Sequence, residues 1–229
     1  MGDLFLYLRR ESKKSALNYK FMKKVIFINA GHHLADPGAI YGSNKESDEV
    51  MKIRDLLVPM LEKYFEVHAV PDNLNLNDSI KWVNGKIFST NDGLAVDIHL
   101  NSSVEGSIPG TGAEALYYGW LSSSKSIAKK LLDKYCEVTG YENRGVLSEK
   151  QTRFGVNGWV HNTNCWATLI ECCFIDNPKD MAKLQSNYGL VAKGIYEGIL
   201  NIYDIKEKEE IKKKANDYLL LAMDLINRL

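Results

Sequence analysis

Five short β-branched and apolar runs, each closed by turn residues and separated by longer polar stretches, constrain this chain more than any other feature. They read KKVIFINA, FEVHAVP, LAVDIHLN, AEALYYGW and TLIECCFI, and each has the length and composition of a buried strand. The intervening stretches carry helical spacing. Val50, Ile53, Leu57 and Leu61 share one face, with Pro59 expected to bend the helix, and Asp78 reads as the N-cap ahead of Ile80, Val83 and Ile87. Ile127, Leu131 and Tyr135 mark a third helix, Asn177-Pro178 opens a short fourth, and Ile195, Ile199 and Ile202 mark a fifth. Strand then helix, repeated, predicts an α/β fold: a twisted, largely parallel sheet with helices on both faces.

With 229 residues, 45% hydrophobic and 25% charged, the chain suffices for one sizeable core and short additions. We therefore expect an extension over 1–22, a main domain over 23–203, and a charged linker with a C-terminal amphipathic helix over 204–229. The tail begins KEKEEIKKK, and Tyr218, Leu221, Leu225 and Leu229 then form one stripe, expected to dock on the domain itself or to make a homo-oligomer contact. Lys plus Arg equals Asp plus Glu at 29 each, so nothing in the charge points to a nucleic acid. No apolar run reaches the ~18 residues of a membrane span, and no secretory signal is recognised at the N-terminus. Cys136, Cys165, Cys172 and Cys173 lack CxxC spacing; the adjacent pair is expected to alternate faces of its strand as reduced core thiols.

The polar residues at the strand ends carry the chemistry. INAGHHLADPGAIYG, residues 28–42, leaves the first strand through a turn that sets two histidines side by side. LAVDIHLNSS ends another strand with His99, with Asp97 on the same face and Ile98 on the other. Ligand sites in open α/β sheets lie outside the carboxyl ends of strands, so His32 and His99 can meet there. Glu46 lies four before Val50 and seven before Ile53, on the inward side of its helix, where a carboxylate needs a partner; Glu49 is its rival, four before Ile53. Two imidazoles and one carboxylate match a catalytic zinc site, which leaves a position open for water. Glu171 follows Leu169-Ile170 inside an apolar strand, where an unpaired charge is costly enough to imply a functional partner.

Taken together and in this order, these segments resemble the zinc-dependent N-acetylmuramoyl-L-alanine amidases of cell-wall hydrolases and phage endolysins. The family's D-P-G-H-G-G-x-D-P-G-A loop is matched without a gap by NAGHHLADPGA, which puts the ligand position on His32, with Asn29-Ala30 in place of Asp-Pro and His33 in place of Gly. A K-E pair opening the next helix falls on Glu46, S-x-H-x-N on DIHLN with His99 and Asn101, and V-L-V-E-x-x-F-x-x-N on the strand ending in Glu171. ENRGV, residues 142–146, also fits. The resemblance covers about residues 23–203.

It implies zinc held by His32, Glu46 and His99, Glu171 as the catalytic acid and base, and peptidoglycan as substrate, cut between N-acetylmuramic acid and L-alanine. Asn101, Arg144 and His161 are the substrate-binding candidates. Synthesis in the cytoplasm, with action on the wall after release or export, is the expected setting. Two alternatives stand beside it: a metallo-carboxypeptidase acting on stem peptides, and a non-catalytic wall-binding module. The four residues of the site argue against the second.

Overall fold

The computed structural model describes residues 24–32, 34–87, 93–152 and 155–206. The expected docking helix of the tail, the N-terminal extension and His33 lie outside these residues. The described strands and helices run β1 Val25–Ala30, a two-stranded ribbon of β2 Ile40–Tyr41 and β3 Asn44–Lys45, α1 Glu46–Leu61, β4 Glu66–Ala69, α2 Leu76–Asn84 and β5 Gly93–Asn101. They continue with β6 Ala113–Tyr117, α3 Ser122–Thr139, β7 Asn143–Ser148, α4 Gly158–Asn162, β8 Trp166–Phe174, α5 Pro178–Ser186 and α6 Tyr188–Ile202. Six strands make the main sheet in the order β4-β1-β5-β8-β6-β7. β4, β1, β5 and β8 are mutually parallel, while β6 runs antiparallel to β8 and β7 follows β6.

Strand alternation divides the sheet's side chains between two helical layers of unequal size. Ile26, Ile28, Leu94, Val96, Ile98 and Ile170 face a large cluster with Val50, Ile53 and Leu57 of α1, Leu131 and Tyr135 of α3, and Ile195 and Ile199 of α6. Phe27, Ala95, Leu116 and Leu169 face a smaller one with Ile80 and Val83 of α2 and Trp159 and Val160 of α4. The predicted α/β architecture with helices on both faces is the one observed. Among the described residues, no helix is long and apolar enough to cross a membrane.

Several local expectations are corrected. Asn75, not Asp78, caps α2: its side chain accepts from the Asp78 N–H, and Asp78 sits in the first turn. β7 and α4 were not anticipated, because β7 is a half-exposed edge strand without an apolar run and α4 is a single short turn of helix. Cys172 and Cys173 do not alternate. His99 pairs with Glu171 and Asn101 with Phe174, so β8 carries one residue more than β5 across this interval, and both thiols pack in the large cluster.

α3 and α6 meet closely because Gly194 and Gly198 lie one turn apart on the contact. A β-carbon at Gly198 would fall 2.8 Å from the Leu131 carbonyl oxygen and 2.6 Å from its Cδ1. Alanine gains about 1 kcal/mol over glycine in a helix interior, whereas overpacking against a backbone costs roughly 1–3 kcal/mol. Gly198→Ala is expected to lower stability by urea unfolding; an increase would mean that α3 yields freely.

Candidate active site

The register of the central strands lines up polar side chains at the carboxyl ends of β1, β5 and β8. Asn29 lies opposite Asp97, and His99 opposite Glu171, which in turn pairs with Glu114 of the reversed strand β6. All five share the sheet face that carries the thinner helical layer, since each is an even number of residues from Phe27, Ala95, Leu169 or Leu116 on its own strand.

The loop after β1 brings His32 to this row. Gly31 donates to the Ile98 carbonyl at 2.8 Å, Leu34 to that of Asp72 at 3.0 Å, and Pro37 accepts from Ser47 at 3.1 Å. Arg54 of α1 pairs with Asp72 and so holds the segment that receives the loop. His32 itself has a φ of 69°, in the left-handed region that side chains other than glycine seldom adopt. Its Nε2 ends 3.0 Å from Glu46 Oε2, and its Nδ1 lies 3.0 Å from Asp36 Oδ2. Two glycines make room for the rings. A β-carbon at Gly31 would lie 2.5 Å from the His99 ring, and one at Gly38 would lie 2.4 Å from His32 Cδ2 and 2.7 Å from Glu46 Oε2.

Glu46, the first residue of α1, is 3% exposed. Its Oε1 accepts from the Leu100 N–H at 2.9 Å and its Oε2 from the Ala39 N–H at 3.0 Å. Oε1 also lies 2.9 Å from His99 Nδ1. Burial alone would raise the Glu46 carboxyl, but His32 and His99 overcome it and hold the group below the usual carboxylate range. Burial acts in the opposite sense on the imidazoles, and it too is overcome. Glu46, opposed in part by the His99 charge, leaves His32 raised, and Asp97 together with Glu46 leaves His99 well above its ordinary value. The rival Glu49 turns away, bound to Tyr188 and to Lys52 at 3.0 Å, and so sits outside the cluster.

One ligand atom from each of His32, Glu46 and His99 lies within 4.8 Å of the others. Two imidazole nitrogens and a carboxylate oxygen are the donor chemistry of a catalytic zinc site. The carboxylate already lies between two rings drawn toward protonation, which is where a divalent cation would replace protons. These residues therefore fit the metal.

Glu171 lines a cavity of about 360 Å³ together with His32, Glu46 and His99. Its Oε2 is shut off from solvent and has no hydrogen-bond partner. Burial pushes the carboxyl up to about 8, His99 opposing and Glu46, Glu114 and Asp97 reinforcing. An adjoining cavity of about 580 Å³ shares Glu171, Asn101 and Asn157 and reaches Arg144. There Asn101 donates to Glu114 Oε1 at 2.8 Å, and Arg144 Nε donates to Glu114 Oε2 at 3.1 Å while the guanidinium covers the Phe174 ring. His161 is not brought to this cleft. It stacks edge-on against Tyr118, 3.6 Å from Glu149, and lines a separate cavity with Cys165 and Trp166.

A largely parallel sheet with paired imidazoles at its carboxyl end, the buried Glu46 at the start of α1 and the part-buried Glu171 in β8 offers the donor set of a metal-site hydrolase of α/β architecture. Comparisons with known proteins narrow it. The sequence profile of the N-acetylmuramoyl-L-alanine amidases matches residues 26–201. The endolysin of Bacillus phage SPP1 is 30% identical over 197 residues, covering 82% of this chain and 69% of its own. Among solved structures, an N-acetylmuramoyl-L-alanine amidase from Clostridium difficile 630 superimposes with a TM-score of 0.69 at 26% identity, covering 81% of this chain and 99% of that one. The catalytic domain of CwlV, an N-acetylmuramoyl-L-alanine amidase from Bacillus (Paenibacillus) polymyxa var. colistinus, gives 0.68 at 28% identity, with 80% and 99% covered. The chain belongs to the N-acetylmuramoyl-L-alanine amidase family, and it hydrolyses the amide between N-acetylmuramic acid and L-alanine in peptidoglycan.

Asp36, Asp97, Glu114 and Asn157 were not assigned roles from the sequence, although Asp97 was placed on the His99 face. The DPG turn and the D-x-H spacing were the available signals for Asp36 and Asp97.

The raised Glu171 carboxyl has a stability consequence. Its folded-state value of about 8 stands above the ordinary 4.5. Between those values the folded state holds a proton that the unfolded state has released, so this carboxyl's contribution is present below 4.5 and lost as pH rises through 8. Metal-free Glu171→Gln protein is expected to melt above the parent at alkaline pH and level with it at acidic pH. A Tm difference independent of pH would contradict the burial of this charge.

Proposed function

We propose that this amidase is zinc-dependent, with the ion held by His32 through Nε2, His99 through Nδ1 and the Glu46 carboxylate. The observation that carries the reading is that these three donors and the unpartnered Glu171 carboxylate line one cavity. Bound there, zinc supplies Lewis acidity, polarising the scissile carbonyl and lowering the pKa of the attacking water.

The remaining steps fall to the protein's own groups. Glu171 takes a proton from the attacking water at its carboxylate and delivers it to the alanine nitrogen as the carbon–nitrogen bond breaks. The products are the lactyl carboxylate of N-acetylmuramic acid and a stem peptide with a free amino terminus. The bulged end of β8 and the loop after β5 shape the larger cavity for the sugar and peptide on either side of the bond.

Arg144 is proposed to meet a carboxylate of the stem peptide. Asn101 acts on the same side by holding Glu114, which orients the guanidinium. His161 has no part in this reading, because it lines a different cavity. The biological role proposed is lysis or remodelling of the wall after release or export, a reading supported by the likeness to a phage endolysin. A homo-oligomer formed through the tail stripe is proposed from the sequence pattern of Tyr218, Leu221, Leu225 and Leu229.

Digestion of purified peptidoglycan, followed by mass spectrometry, tests the chemistry. Stem peptides beginning at L-alanine are expected, lost with a chelator and restored by zinc. Fragments shortened at the peptide's carboxyl end would favour a carboxypeptidase instead. Glu171→Gln is expected to lower kcat by about 10²–10⁴-fold, the usual contribution of a positioned acid–base group, with zinc content by atomic absorption unchanged. Activity near the parent's would remove Glu171 from the mechanism.

A further inference from the structure

We propose that Asn29 and Asp97 form a buried positioning pair for His99: Asp97 fixes the imidazole in the tautomer whose Nδ1 is free to bind the metal, and Asn29 fixes Asp97. The inference rests on the reading of His99 as a ligand and adds the residues that prepare it.

Asn29 and Asp97 face each other across β1 and β5 and are 7% and 2% exposed. Asn29 Nδ2 donates to Asp97 Oδ1 at 2.7 Å. The second carboxylate oxygen, Oδ2, lies 3.2 Å from His99 Nε2. An ionised carboxylate only accepts, so the proton in that contact belongs to Nε2. A neutral imidazole protonated at Nε2 has its lone pair at Nδ1, the atom that faces Glu46, another member of the donor cluster. Metal-binding histidines commonly donate their other ring N–H to a carboxylate, which sets both tautomer and ring orientation.

The burial makes a purely structural role for Asp97 expensive. A carboxylate almost without exposure must be compensated, and a neutral pair of similar size would fill the same space at lower desolvation cost. His32 has a corresponding partner in Asp36, but that carboxylate is about half exposed and lies on the same loop, four residues on. The buried constraint is therefore specific to His99.

The test removes the acceptor. Asp97→Leu keeps the approximate size but offers no oxygen to His99 Nε2–H. Zinc affinity, measured by competition with a chromophoric chelator, is expected to fall about 10–100-fold, as for other such partners. The swap N29D/D97N restores an acceptor, because the amide at 97 then donates to the carboxylate at 29 and keeps its oxygen for His99. It is expected to recover most of the affinity.

Circular dichroism melting confirms that each variant is folded. Parent affinity in Asp97→Leu, or a folded swap variant no better than that single one, would overturn the positioning role. His99→Ala separates the two levels: parent zinc affinity in that variant would sink the ligand reading itself, whereas its loss alongside an unaffected Asp97→Leu would overturn the pair alone.

Discussion

The burial of Glu46 between two imidazoles is the constraint on which the site and the elements around it depend. A carboxylate at 3% exposure is tolerable only when its oxygens are matched, and here two backbone N–H groups and two histidine rings supply the match. Those partners come from two places, the loop after β1 and the end of β5, while Glu46 itself opens α1. Satisfying one charge thus pins three elements to a common point. The first turn of a helix suits the role, since its N–H groups and dipole favour negative charge.

The two faces of the sheet divide the work. The face packed by α1, α3 and α6 holds the larger cluster and, with it, most of the hydrophobic driving force. The face under α2 and α4 is thinner, and at its carboxyl edge the apolar residues give way to Asn29, Asp97, His99, Glu171 and Glu114. An active cleft needs an opening on a rigid support, and the asymmetry provides one. The thick layer keeps the strand register that sets the distances.

Around this cluster, further polar residues pair with one another. Asn29 donates to Asp97 beside His99, Asp36 stands beside His32, and Asn101 and Arg144 meet on Glu114. Glu171 is the exception. Its Oε2 has no hydrogen-bond partner, and burial raises its carboxyl.

The sequence by itself determined the layers and singled out the polar residues that meet at the carboxyl ends of the strands. Period-two and period-3.6 patterns are local properties, and they announced β1, β5, β8, α1, α3 and α6; His32, Glu46, His99 and Glu171 stood out as polar residues at strand or helix ends. β7 and α4 escaped because an exposed edge strand and a five-residue helix bury too little to leave a pattern. Only the tertiary structure set Glu46 beside two imidazoles and Glu49 beside Tyr188 and Lys52, although the two share a helical stripe. It also removed His161 from the cleft and brought Asp97 onto the far side of the His99 ring. Strand register and loop closure set these pairings across as many as 139 residues of sequence, and no local pattern carries that information.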